Sequence, residues 1–337
     1  MSTEAASREG RRSALNLSFL ASNEAGLLLI TAGFAALFYF ATPGFGSPFN
    51  LYALTRVLAI DAVIGFSMMV VLVTGGLNLA VGAIGVCAVM VGGYAMQVAG
   101  LPIVVSAAIA LFAGALLGAL NGVLTVGMRV HSFVVTLATM SIFFGAMILL
   151  TGADAFNALP VEFVSLAKLK SFKFISSMIW VTLGIGVLLW FLFHHTLIGR
   201  QILAAGANIN AARLSGVPVD RTIVVCHALS GALAAFAGLM LTARNGAALP
   251  SMAGQLGADW LLPAFLAPVL GGTLLTGGMV SVTGTFLGAT LVTVLSNGLL
   301  QLRVGEFWVQ AFLGLILLAA VGIDRVRAHF IAQRRIR

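Results

Sequence analysis

Charge is what this sequence has least of. Only 8% of its 337 residues are charged, where a soluble domain carries about 25%. Lysine occurs only as Lys168, Lys170 and Lys173. With 60% of the residues hydrophobic, a water-facing surface cannot be assembled, so lipid must be the solvent for most of the chain. A nucleotide-binding P-loop needs lysine after glycine, and none of the three lysines follows one. The H-E-x-x-H, G-x-S-x-G and paired-carboxylate arrangements are also missing, so no catalytic residue is expected. Cys87 and Cys226 lie inside apolar runs. They supply neither a disulfide framework nor metal-ligand spacing, and no metal site or cofactor is expected in this chain. Acids within the membrane are almost lacking as well. Asp61 is the one acid well inside an apolar run, near its predicted outer end, and His227 sits just inside another. Both read as solvated helix ends rather than as a proton relay.

What is present is a series of apolar runs, at about 25–42, 57–74, 83–99, 102–127, 132–152, 175–195, 222–243, 261–279, 281–301 and 307–323. The expected fold is an all-α integral membrane protein of about ten transmembrane helices, with both termini cytoplasmic. Residues 1–24 form a cytoplasmic N-terminal tail, 25–323 a single transmembrane domain with a cytoplasmic segment at 197–221, and 324–337 a basic cytoplasmic tail. The first run is long enough to span and has no A-x-A-like cleavage site after it, which reads as an uncleaved span. This orientation puts twelve basic residues inside and six outside, in the sense of the positive-inside rule although Lys168–Lys173 run against it. The net charge of +8 therefore reflects topology and not a nucleic-acid surface, for which no basic stripe exists. Trp260 and Trp308 fall at predicted outer ends, where either an aromatic belt or plain helix packing accounts for them. Asn121-Gly122-Val123-Leu124 returns as Asn297-Gly298-Leu299-Leu300. The two copies lie on spans of opposite direction, as an inverted repeat of spans 2–5 and 7–10 would place them.

Two glycine-rich interruptions stand out. In Thr74–Gly82, adjacent glycines weaken the helix around Asn78, so the stretch is either a broken helix lining a path or a short cytoplasmic turn. Gly271–Gly278 is the second such stretch, open to the same two readings. Thr136, Thr139 and Ser141 place hydroxyls along the fifth run, facing either a polar solute or their own i−4 carbonyls. The candidate path residues are Thr74, Asn78, Asn121, Thr136, Thr139 and Asn297. The longest polar segment, Leu197–Arg221, reads as a short helix between glycine breaks. Asn208 or Asn210 would cap it, and Gly216 with Pro218 would end it. Arg200, Arg213 and Arg221 rim it as a docking surface would require, or as a loop holding topology would.

These stretches resemble the permease subunit of ribose-type ATP-binding-cassette importers over most of residues 50–325. Gly75–Gly82 is similar to that family's G-G-[IL]-D-L-[SA]-V-G, and Asn121-Gly122 followed by Phe133–Met140 to its N-G and F-[IV]-V-T-L-[GA]-T-M. Gly199, Arg200, Ala205, Gly206, Asn208, Ala211, Ala212, Arg213 and Gly216 are similar to its G-R…A-x-G-x-N…A-A-R-x-S-G segment. The resemblance implies ten spans, a second permease subunit (a homodimer), a cytoplasmic ATPase that carries the ATP and Mg²⁺, and a periplasmic substrate-binding protein. It further implies an inner-membrane importer of a monosaccharide or related polyol, with Gly199–Gly216 docking on the ATPase. The chain departs from the pattern where Asn78 replaces aspartate and Ser67-Met68-Met69 replaces G-M-T. It departs again at His131-Ser132, where proline is frequent, and at Trp260–Phe265, which lacks an acidic E-L-D. The alternatives are an ion-coupled secondary transporter, or a non-transporting membrane enzyme or scaffold.

Overall fold

The computed structural model describes residues 23–172 and 174–335, without the side chains of residues 320 and 323–335. The expected tail up to residue 22 and Lys173 lie outside the described residues. Among those described, thirteen α-helices account for nearly all regular structure. They are α1 (Asn23–Ala41), α2 (Pro48–Leu72), α3 (Val81–Gln97), α4 (Ile103–Met128), α5 (Ser132–Thr151), α6 (Val161–Leu166) and α7 (Met178–His195), then α8 (Leu197–Ala207), α9 (Ile209–Leu214), α10 (Val219–Asn245), α11 (Leu261–Leu270), α12 (Val282–Gln301) and α13 (Glu306–Arg335). A two-residue hairpin, β1 (Lys170–Ser171) with β2 (Ile175–Ser176), interrupts the α6–α7 connection. A 3₁₀ turn, Gln255–Trp260, precedes α11.

Seven helices (α1, α2, α4, α5, α7, α10 and α12) are long and apolar enough to cross a membrane. The segments Val81–Gln97, Gln255–Leu270 and Glu306–Ala319 are apolar but shorter. Three boundaries differ by nine residues or more from the sequence expectation, one being the tenth run, which continues as helix to Arg335 instead of ending at 323. The second run starts nine residues earlier, at Pro48 rather than 57, because Ser47 caps the helix through the Asn50 N–H and proline fits its first position. Asp61 therefore lies mid-helix and not near an end. The eighth run stops at Leu270 instead of 279: the chain leaves the helix at Gly271, and Gly272, Gly277 and Gly278 all have positive φ. Trp260 is buried, its ring against Gly85, which is the packing alternative; Trp308 is 68% exposed.

A helix that is apolar all round is either buried or lipid-facing, and both kinds occur here. Helices α2 and α3 are enclosed nearly throughout, whereas α1, α4, α5 and α7 turn large side chains such as Phe40, Phe112, Leu149 and Leu188 outward. Helix α4 lies along α10 with little between the backbones. Gly114, Gly118 and Gly122 recur every fourth residue on one face, where added Cβ atoms would strike the carbonyls of Gly231 and His227 and the Cα of Val224. Such close approach is how membrane helices gain van der Waals contact without a hydrophobic drive. The packing order is mirrored between the halves of the chain. Helix α3 packs on α4 and α5 as α11 packs on α12 and α13, and α4 and α3 meet α10 as α12 and α11 meet α2.

Candidate functional site

The two glycine interruptions come together at one end of the bundle, and the segment after α7 closes over them. Helix α2 ends at Leu72, and the chain turns through Gly75 at φ +75° before α3 begins. Two polar side chains of α5 take up backbone N–H groups of the turn. The Leu77 N–H donates to Ser132 Oγ at 2.7 Å and the Leu79 N–H to Thr136 Oγ1 at 3.1 Å. The Thr136 hydroxyl in turn donates to the Ser132 carbonyl at 2.8 Å. Asn78 is fully buried: its Nδ2 donates to Ser230 Oγ at 2.9 Å, and its Oδ1 accepts from the Ala80 N–H. Ser67 Oγ donates to the Ser230 carbonyl at 2.8 Å. The departures at positions 67 and 78 thus belong to a single buried network joining α2, the turn and α10, a connection between residues more than 150 apart in sequence.

The second interruption docks on the first by backbone, the Gly278 N–H donating to the Val73 carbonyl at 2.8 Å. Gly206, near the end of α8, fits over this bond, and a Cβ there would overlap the Val73 carbonyl and approach the Gly278 nitrogen. Three chain segments thus meet with no side chain between them. Gly206, Gly277 and Gly278 were legible as motif glycines, but nothing local tells that they touch.

The segment itself is two short helices. Thr196 caps α8 through the Gly199 N–H at 3.0 Å, and Gly199 lets α8 fold back against the α7 carbonyl of Leu192. Asn208, not Asn210, caps α9 through the Ala211 N–H at 3.0 Å. Gly216, at φ +80°, follows the end of α9. Ala205, Ala212 and Val219 form a small core beneath. Arg200, Ala211, Arg213 and Leu214 face outward, Leu214 at 91% exposure. Arg213 forms an ion pair with Asp220, both side chains more than half exposed. The result is an apolar knob beside a cation on a pre-formed scaffold, the kind of surface that a protein partner reads.

The remaining candidates are dispersed. Thr74 is next to the junction, its hydroxyl donating to the Val71 carbonyl. Thr139 is one turn beyond Thr136 and donates to its carbonyl. Asn121 is buried at the α4–α10 crossing, and neither amide atom has a partner. Asn297 is at the far end of α12, paired reciprocally with Asn50 at 3.0 and 3.1 Å. That is roughly 35 Å along α2 from Thr74, at about 1.5 Å per residue. The structure therefore brings Thr74, Asn78, Thr136 and Thr139 together and leaves Asn297 apart from them.

The family described as "Branched-chain amino acid transport system / permease component" matches residues 47–321, well over half of the chain. The ribose import permease protein RbsC of Bacillus subtilis is 35% identical over 288 residues, covering 85% of this chain and 88% of that protein. Its counterpart in Escherichia coli K12 is 31% identical over 291 residues, 84% of this chain and 88% of its own length. The autoinducer 2 import system permease protein LsrC of Yersinia pseudotuberculosis is 33% identical over 329 residues, 95% of this chain and 90% of its own. No solved structure matches.

Proposed function

Given that the chain belongs to the family of branched-chain amino acid transport system permease components, and is the membrane-spanning subunit of an ATP-binding-cassette importer, we propose that it carries a monosaccharide or a related polyol across a bacterial inner membrane. The observation that carries this reading is the likeness, over more than four-fifths of both chains, to permeases named for ribose and for autoinducer 2. The broader family description names amino acids, but the full-length relatives do not.

In this proposal the chain crosses the membrane ten times. The seven long helices are joined by α3, α11 with its 3₁₀ turn, and the apolar part of α13. Ten crossings put both termini on one side, the cytoplasmic one. The mirrored packing order supports an inverted repeat of α2–α5 against α10–α13. Residues Gly199–Gly216 dock on a separate ATPase that supplies ATP and Mg²⁺ chemistry; this chain itself binds no cofactor. Exposed Leu214, Arg213, Arg200 and Ala211 make the contact, and Asn208, Ala212, Gly199 and Gly216 hold its shape. A periplasmic binding protein delivers the solute, and a second permease subunit, a copy of this chain, completes the path. Because Gly206 presses on Val73 and Gly278, displacement of α8 by the ATPase moves the ends of both halves together, a rigid-body switch. Thr74, Thr136 and Thr139 lie nearest the moving junction. Asn78 acts by positioning, since both of its polar groups are engaged.

The test is reconstitution in liposomes of this chain with its ATPase and binding protein, measuring uptake of labelled pentose. ATP-dependent pentose uptake is the expected result. Uptake driven by an ion gradient from this chain alone, or uptake of branched-chain amino acids in place of pentose, would sink the reading.

A further inference from the structure

Between the α4–α5 turn and α9–α10 lies a polar cavity of about 480 Å³, within the usual range of small-molecule sites, about 300–1,000 Å³. We propose that it is a binding site for a phosphate-bearing small molecule. The argument rests on a surplus of hydrogen-bond donors. Arg129 contributes a guanidinium without an ion-pair partner among the described residues. His131 accepts the Phe133 N–H on Nδ1 at 3.2 Å, which leaves the proton of its neutral ring on Nε2, a donor. Ser132 Oγ accepts from Leu77, so its own proton is free to be given. His227 is 1% exposed and lines the cavity with neither ring nitrogen bonded. The one acidic group in the lining, Asp220, is already matched by Arg213.

The His227 ring nitrogens are enclosed and bring one donor and one acceptor, so the surplus itself comes from Arg129, His131 and Ser132. A free sugar brings donors and acceptors in similar number and leaves the donor surplus unmet. A phosphate brings several acceptor oxygens and negative charge, the complement that arginine reads best. The cavity also touches Thr74–Gly76 on one wall and Ile209 and Arg213 on another. An occupant therefore bridges the first glycine turn to the segment proposed to meet the ATPase. Slowing of transport by such a ligand rests on the transport reading above; binding itself does not.

The probes are a pentose 5-phosphate, inorganic phosphate and the free pentose. Each is titrated by calorimetry against the full chain in phosphatidylcholine nanodiscs, without any partner protein. Saturable binding of the two phosphates is expected, with the free pentose at least tenfold weaker. Arg129→Gln, at an exposed position, is expected to weaken pentose 5-phosphate at least tenfold. Arg303→Gln, outside the cavity, should leave it unchanged. Nanodiscs of phosphatidylglycerol distinguish the source: competition there assigns the same phosphate chemistry to a lipid headgroup, and its absence to a soluble ligand. Equal affinity for pentose and pentose 5-phosphate, undiminished binding in Arg129→Gln, or no binding from either source would overturn the proposal.

Discussion

At one end of the α2–α12 pair, two amides face each other; at the other end, three backbone segments meet with nothing between them. The Asn50–Asn297 pair uses both polar atoms of each side chain, and Asn50 also donates to the Phe45 carbonyl. Phe38 and Phe45 pack beside it. The Val73–Gly206–Gly278 junction has one backbone hydrogen bond and van der Waals contact. An end stapled by side chains resists displacement in many directions. An end where smooth backbone surfaces abut can slide, yet tolerates no added atom. Under the proposed transport cycle, the difference fits anchoring at one end and transmission at the other.

The largest expected effect tests that assignment at Gly206. Gly206→Val places side-chain atoms where the Val73 carbonyl lies. Overpacking costs about 1–3 kcal/mol, and the middle of that range, at 1.36 kcal/mol per decade, shifts an equilibrium by roughly thirtyfold. Binding-protein-stimulated ATP hydrolysis in the assembled complex should fall at least about tenfold. Normal stimulation in a folded variant would break the comparison.

Arg213 comes next. Arg213→Glu removes the cation proposed to dock on the ATPase and also faces Asp220 with a like charge. The exposed pair itself is worth only about 0–1 kcal/mol, so thermal stability should change little while ATPase stimulation falls several-fold. The double variant Arg213→Glu, Asp220→Arg restores the internal pair. If stimulation returns with it, the internal pair mattered; the docking reading expects that it does not return.

How far these sites could be read from the sequence depends on the range of the interaction. Helices α4, α5 and α12 begin and end within a residue or so of their apolar runs, because hydropathy, helix length and Pro102, His131 or Ser281 at the start are local signals. The start of α2 was available in Ser47-Pro48, but it was masked by the polar Asn50–Arg56 stretch. The end of α11 was hidden since leucines and methionine fill the Gly271–Met279 turn, and hydropathy averages over the glycines. Asn208 as a cap was legible from spacing. The clasp of Ser132 on Leu77, and of Ser230 on Asn78, was not. Each joins helices far apart in sequence, and a serine in an apolar run has the same local pattern whether it bonds its own turn or another helix. The glycine motif suggested a break but not what the break rests against.

A smaller effect is expected at the anchoring end. Asn50→Ala or Asn297→Ala leaves one amide short of its partner, and hydrogen bonds between membrane helices average about 0.6 kcal/mol, with a maximum near 1.7. Each single variant should lose about 1 kcal/mol in mixed-micelle unfolding. The double variant should lose little more than either one, with ATPase stimulation retained. Additive losses would mean that the amides act independently.

The smallest effect is expected at Asn121, the sequence twin of Asn297. Its amide is buried without a partner, so replacing it with leucine of similar size removes an unsatisfied polar group rather than a bond. Stability should hold within about 0.5 kcal/mol or rise slightly. Transport is the sharper readout. If the amide waits for a solute or for a second arrangement of α4 and α10, Asn121→Leu lowers uptake several-fold at unchanged stability, and the α4–α10 crossing joins the Gly206 junction as moving machinery. If uptake and stability both stay as they are, the crossing is as static as the Asn50–Asn297 anchor, and motion is confined to the junction that Gly206 covers.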